Sequence, residues 1–259
     1  MKMQTFFRRR PHLLRHSPRT RRWVMAVVAI VVLGAALPAA AQVGEARRTI
    51  SLGFSGGTVM NNVTFDPTIK QKMHSGPTMG LTVRFVSEKY FKTLCALQME
   101  VNYARLGWTE DIRSSADQPL PDTYSRHMDY LRIPLLARLS WGYERRGFSA
   151  AFIAGPEFGY LLSEKSERSA EWTLDAEGLP DRPNGMSAQY DMPVEHRFDY
   201  AITGGLSLEV ATAIGRFALD GRYTYGLADL FSNGKKDVFS RSNHSTITVK
   251  LSYLFDVRK

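Results

Sequence analysis

The sequence is poor in the residues from which disulfide frameworks and metal centres are built. It holds one cysteine, Cys95, and six histidines in 259 residues. A single thiol forms no internal disulfide and supplies no cysteine-rich zinc site. The histidines that follow residue 41 show neither the His-x-x-x-His nor the His-x-Glu spacing of metal centres. We therefore predict a chain without metal, cofactor or disulfide.

Acidic residues are missing from the first 41 positions, which carry eight lysines and arginines. This segment accounts for nearly all of the formal net charge of +9. In the rest of the chain 26 basic residues face 25 acidic ones, which leaves a net charge of +1. A nucleic-acid-binding role therefore loses its electrostatic basis.

The N-terminal segment has the order of a secretory signal peptide. Basic residues up to Arg22 precede Trp23–Leu37, an uncharged apolar run of 15 residues, and Ala39–Ala41 follow as a small-residue cleavage site. We predict a signal peptide over 1–41 and a mature domain over 42–259. An uncleaved membrane anchor is the alternative, but the run is shorter than the ~20 residues of a spanning helix.

Long apolar runs are absent after residue 41, and none approaches the ~18 residues of a transmembrane helix. Apolar residues instead recur at every second position, as they do in half-buried strands. Eight segments show this alternation: 49–55, 78–85, 97–103, 131–141, 148–160, 198–210, 217–225 and 246–255.

The connections between these strands alternate strictly in length. The long ones are 61–76, 109–124, 163–197 and 226–243, and the short ones are 87–92, 142–147 and 211–215. Outer-membrane barrels show this alternation, with long loops outside and tight turns in the periplasm. We therefore predict an all-β fold, an eight-stranded antiparallel up-and-down transmembrane β-barrel, in the cell outer membrane.

The two faces of the predicted strands differ in composition. One face is aliphatic or aromatic, and the other combines Gly, Ser, Thr and Ala with single charges, which suits the narrow lumen of a small barrel. Pro134 and Pro156 fall inside strands, where we expect bulges or strand ends. Aromatic residues near the strand ends are expected to form interfacial girdles: Phe85, Tyr103, Trp108, Tyr130, Trp141, Phe148, Tyr160, Phe198, Tyr225 and Phe255.

Residues 130–136, YLRIPLL, resemble the Y-L-x-I-P-L-L strand of the PorT-like outer-membrane β-barrel family common in Bacteroidota. Leu97-x-x-Glu100-x-x-Tyr103, residues 154–159 and the closing strand around Tyr253 also match. The resemblance covers about 50–255 and implies a barrel and a membrane, but no particular activity. The tail departs from the pattern, because Asp256–Lys259 follow the final aromatic residue.

Charged residues on the lumen face are balanced, five basic against five acidic. A charged constriction or gated pore is one interpretation, and a salt-bridged plug is the other, which we favour because unpaired buried charges cost several kcal/mol. The predicted lumen charge network comprises Arg84, Glu100, Arg132, Arg138, Glu157, Asp199, Glu209, Asp220, Arg222 and Lys250.

Candidate catalytic groups are few. Ser125-Arg126-His127, with His196 and His244, lie at the predicted outer strand starts, without a local nucleophile signature. We predict no catalysis, and keep a lipid-modifying outer-membrane enzyme as a minor alternative.

The connection 163–197 is the longest, with eight acidic and four basic residues. Long loops on rigid barrels are where recognition usually resides. We expect a monomeric barrel in contact with outer-membrane lipid, in a structural or envelope-interaction role, with this loop as the site for envelope protein partners. A small porin-like channel for ions or small solutes is the alternative function.

Overall fold

The computed structural model describes residues 44–144, 146–183 and 186–258, so the predicted signal peptide lies outside the described residues. The described chain is almost entirely β-structure, with one short 3₁₀ helix at Ala188–Tyr190. The strands are β1 (Glu45–Asp66), β2 (Gln71–Lys72), β3 (His74–Tyr90), β4 (Thr93–Glu110), β5 (Tyr124–Gly142), β6 (Gly147–Arg168), β7 (Phe198–Ala211), β8 (Arg216–Asp229) and β9 (Arg241–Arg258).

The strands form one closed antiparallel ring. Each long strand pairs with its neighbour in sequence, β1 pairs with β9, and β4 pairs with β5. The two-residue β2 pairs only with the end of β4, so the ring has eight strands. Closure leaves no sheet edge, which is the condition for an all-β chain to lie in lipid. The predicted eight-stranded up-and-down barrel is confirmed.

Helices contribute nothing to membrane crossing in the described residues, since none has the length and hydropathy that a spanning helix needs.

The predicted alternation of connections is confirmed, although the strands run further than expected. The short turns are 91–92, 143–146 and 212–215, and the longer loops are 67–73, 111–123, 169–197 and 230–240. Residues 163–168, predicted as loop, belong to β6. Glycines with φ of +128° and +125°, Gly142 and Gly147, flank the turn between β5 and β6, a conformation that other residues rarely adopt.

The barrel is apolar outside and polar inside. Leu81, Leu206 and Leu251 are 67%, 65% and 58% exposed, whereas their neighbours Thr82 and Ser207 are buried. A continuous apolar belt of this kind is stable only against lipid. The girdle prediction is wrong for Trp108 and Tyr130, which are fully buried inside the barrel. Both residues occupy inward-facing positions of their strands.

The two strand prolines do not produce the expected bulges or strand ends. The β5–β6 register runs from Pro134↔Glu157 to Ala137↔Ala154 without a shift, and only the two intervening positions are unpaired. Pro156 lies in that same gap. Pro134 lies in a gap of the same length in the β4–β5 ladder, between Met99↔Leu135 and Asn102↔Arg132, so one short interruption accommodates each proline.

An apolar core fills the end of the barrel that carries the long loops. Leu106, Trp108 and Met128 lie at its centre, and Phe231 and Phe239 from the β8–β9 loop pack against them. Phe65 contacts Trp108 with ring centroids 5.2 Å apart. The long-loop end is therefore closed by a conventional hydrophobic core.

Candidate functional site

The structure places the whole predicted charge network inside the barrel, in three clusters stacked along the lumen. All ten side chains are buried: Arg84, Glu100, Arg132, Arg138, Glu157, Asp199, Glu209, Asp220, Arg222 and Lys250. Their inward parity on successive strands brings them together across the closed ring.

The central cluster surrounds Glu100. Arg222 approaches its carboxylate with both terminal nitrogens, at 2.9 and 2.7 Å, and Lys250 Nζ donates to the same group. Gln98 and Asn102 donate two further bonds, at 2.6 and 2.9 Å. The two-pronged arginine contact and the added donors are the geometry in which a buried charge pair is best compensated.

A second cluster lies between the centre and the apolar core. Arg132 Nε donates to Glu157, and Arg132 Nη1 lies 3.5 Å from Asp199 Oδ2. Thr203 and Thr224 donate to the Glu157 carboxylate. This cluster holds one cation and two anions.

The third cluster lies at the short-turn end and has the opposite imbalance. Arg84 Nη1 and Arg138 Nη2 both donate to Glu209 Oε2, at 2.6 and 3.0 Å. Arg216, which the sequence analysis missed, donates to Glu209 Oε1 at 3.1 Å. Its inward parity on β8, shared with Asp220, is the signal that could have identified it.

The charged clusters leave little free space between them, whereas a wider space of about 1170 Å³ lies at the short-turn mouth, lined by Arg47, Glu144 and Arg216. A cavity of about 20 Å³ lies beside Arg222, Lys250 and Thr248, and a second cavity of about 30 Å³ lies at the short-turn end. Each is of the size that one or two water molecules occupy. The arrangement suits a packed interior better than a conduit.

The loops form an ordered cap over the apolar core. Arg182 pairs with Asp122 at 3.2 Å, and its Nε donates to the Tyr190 hydroxyl, which in turn donates to Glu110 at 2.8 Å. The Trp172 ring stacks on Tyr190 with centroids 4.7 Å apart. Burial, and next the charge of Glu110, raise the pKa of Tyr190, so its hydroxyl remains a proton donor at neutral pH.

The catalytic candidates do not form a direct serine–histidine pair, although Ser125 and His127 lie in one chain of contacts through Thr109 and His74. Ser125 Oγ lies 2.9 Å from Thr109 Oγ1, and the exposed His196 contacts a backbone carbonyl. His244 is buried, within hydrogen-bond distance of Asn61. His127 Nδ1 lies 3.3 Å from Nε2 of His74, a partner that the sequence analysis did not identify.

The part of the chain that the structure describes contains no group of three or more histidine, cysteine, aspartate or glutamate side chains placed to hold a metal ion.

The chain is similar to two solved bacterial proteins at low sequence identity. Among solved structures, the attachment invasion locus protein Ail of Yersinia pestis is 12% identical, with 82% of this chain and 99% of that chain covered and a TM-score of 0.35. OprG of Pseudomonas aeruginosa is 13% identical, with 82% and 98% covered and a TM-score of 0.38. No curated protein sequence matches the chain.

The sequence profile described as outer membrane protein beta-barrel domain matches residues 40–232. The match covers β1 to β8 and most of the charged lumen, and the described fold is the one that the family description names. The chain belongs to the outer membrane protein β-barrel domain family.

Proposed function

We propose that this protein is an integral outer-membrane barrel with a closed lumen and a structural or envelope-interaction role, without catalysis. The observation that supports it best is the filled interior. The carboxylate of Glu100 joins Arg222 and Lys250 across the ring, and the apolar core and cap close the long-loop end. A barrel filled in this way offers its outer wall and its loops as the surfaces for function.

Delivery to the outer membrane is proposed to follow cleavage of residues 1–41. The domain 42–259 would then start at Gln42, and intact-mass spectrometry of the envelope-borne protein should give that terminus. A mass that includes Met1 or Met3 would contradict the cleavage.

The proposed partners are outer-membrane lipid around the apolar belt and envelope proteins at the long-loop face, with the barrel itself a monomer. Kinship with PorT-like barrels is part of the proposal, and residues 130–136 are the most specific part of the resemblance that supports it. The cap supports a recognition role, because Arg182 and Tyr190 hold the long loop in one ordered shape.

Site-specific photo-crosslinking in intact cells tests the interaction role. A photoreactive residue at Leu179, 63% exposed on the long loop, should give a discrete adduct with an envelope protein. The matched control is Ile214, 74% exposed on the β7–β8 turn, which should not give that adduct. Adducts with lipid only, from both positions, would refute a protein partner at the cap.

The absence of catalysis is tested by the pair Ser125→Ala and His127→Ala. Both should leave the envelope lipid composition unchanged, because Ser125 bonds to Thr109 and not to a histidine. A lipid species that disappears in both variants would instead establish a lipid-modifying enzyme.

A further inference from the structure

The cavity at the short-turn end carries an excess of positive charge. Its lining includes five cationic side chains and two anionic ones, Glu144 and Glu209. The cationic residues are Arg84, Lys89, Lys92, Arg138 and Arg216. When the groups that contact this lining are added (Arg47, Glu45 and Asp256), six cations still face four anions.

The arginines are held close together at the inner end of this cavity. Arg84 and Arg138 donate to the same oxygen, Glu209 Oε2, so two guanidinium groups share one negative charge. Arg216 takes the other oxygen and also reaches Asp256 at 3.4 Å. Arg216 also donates from Nη2 to the Glu144 carbonyl at 2.9 Å, so all three of its nitrogens are in use, whereas Arg138 is positioned by a contact that leaves Nη1 available.

Arg138 has such a free group. Its side chain is 2% exposed, and its Nη1 has no hydrogen-bond partner among the described residues. A buried guanidinium nitrogen without an acceptor costs free energy, so an anion placed there would be stabilised by both charge and hydrogen bonding.

The cavity can be reached from the short-turn mouth. Lys92 on the β3–β4 turn and Glu144 on the β5–β6 turn both line it. Lys92 is exposed and forms no ion pair within the described part of the chain. A ligand that enters from this side therefore meets a free cation first and the arginine group behind it.

We propose that the outer part of this cavity binds a phosphate-class oxyanion, either free phosphate or a phosphoryl group carried by a small molecule. One or two of its oxygens fill the water-sized space of about 30 Å³ beside Arg138, and the rest lies in the wider space of about 1170 Å³ at the mouth, which shares Glu144 and Arg216 with the cavity. Arg138 and Arg84 bind its oxygens at the inner end, and Lys92 contributes at the mouth. Planar guanidinium groups favour oxyanions, because two N–H groups can donate to two oxygens at once. The site is separate from the cap and does not depend on the proposed interaction role.

Isothermal titration calorimetry of the detergent-purified protein tests the site, with inorganic phosphate and glycerol 3-phosphate as probes at constant ionic strength. We expect saturable binding of phosphate. Saturable binding of inorganic phosphate alone would identify free phosphate as the ligand. Saturable binding of both inorganic phosphate and glycerol 3-phosphate would identify the phosphoryl group as the part that is recognised. Titration with chloride serves as the salt control, and an equal chloride response would overturn the proposal.

Three variants locate the binding. Arg138→Gln keeps Glu209 paired with Arg84 and Arg216, and should weaken phosphate binding about tenfold or more. Lys92→Gln, on an exposed turn where folding is not at risk, should weaken it about two- to fivefold. Lys165→Gln removes a charge at the long-loop end and should change nothing. Unchanged affinity in both Arg138→Gln and Lys92→Gln, or no saturable binding in the native protein, would overturn the assignment.

Discussion

At the scale of single residues, Glu100 joins strands on opposite sides of the barrel. Its carboxylate accepts hydrogen bonds from Gln98 and Asn102 on its own strand and from Arg222 and Lys250 on β8 and β9. Replacing the carboxylate by an amide leaves two buried cations with one acidic neighbour, Asp220. The loss of one partner from a buried ion group is among the costliest single substitutions.

Glu100→Gln is therefore expected to lower the free energy of unfolding by about 3–5 kcal/mol. The matched control is Glu177→Gln, an exposed position on the long loop, where we expect a change within about 0.5 kcal/mol. Equilibrium unfolding in urea, with the protein in detergent micelles, gives both values. Equal stabilities for the two variants would show that the central cluster does not hold the lumen together.

At the scale of elements, each strand has a lipid face and a lumen face, and depth in the membrane decides the cost of a charge. Leu251 and Val257 share the outward face of β9 and are equally exposed, at 58% each. Leu251 pairs with Gly56 in the middle of β1, whereas Val257 lies at the short-turn end.

Leu251→Arg should destabilise the folded barrel by about 2–4 kcal/mol, and Val257→Arg by about 0–1 kcal/mol, because the penalty for arginine falls toward the interface. Unfolding from phospholipid vesicles measures the difference. Equal destabilisation by arginine at the two positions would show that Leu251 and Val257 lie at the same depth in the membrane.

The cap is the second element with a testable contact. Tyr190→Phe removes the hydroxyl between Arg182 and Glu110 and should weaken the cap by about 1–3 kcal/mol. Limited proteolysis within 169–197 should become faster while the barrel itself stays intact. Tyr143→Phe, on an exposed turn at the other end, is the control and should leave the cleavage rate unchanged.

The strands, their faces and the alternation of connections could be predicted from the sequence, because side chains in a strand alternate with a fixed period. The alternation of side chains also predicts the lumen charge network. Glu100 and Arg222 face inward whichever residues they pair with on the neighbouring strands. The apolar core was missed because outward and inward aromatic residues look alike near strand ends. For Trp108, the distinguishing feature is that every second residue from Gln98 onward faces the lumen, and Trp108 continues this series. The contact of His74 with His127 crosses Gly107 of β4 and depends on the register of three strands. The contacts of Arg182 depend on how a loop folds back. No local pattern encodes either.

At the scale of the whole molecule, an even number of strands places both ends of the described barrel and all the short turns on one side. Ile50 of β1 pairs with Arg258 of β9 at that side. We expect this side to face the periplasm and the capped side to face the exterior.

An epitope inserted after Gly178 should be labelled by antibody on intact cells, because it lies on an exposed loop turn with nothing packed against it. The same epitope after Ala213, on the β7–β8 turn, should be labelled only after permeabilisation. Labelling of both on intact cells, or of the second alone, would contradict the orientation.

The closed lumen is the property on which the account rests, and conductance across a planar lipid bilayer measures it directly. The protein should insert and yet give no unitary current steps, because the Glu100 cluster and the apolar core lie in series across the lumen. Insertion is verified by flotation of the same preparation with lipid vesicles. A silent bilayer is the predicted result, and steady unitary steps from the inserted native protein would contradict the closed barrel and establish a channel.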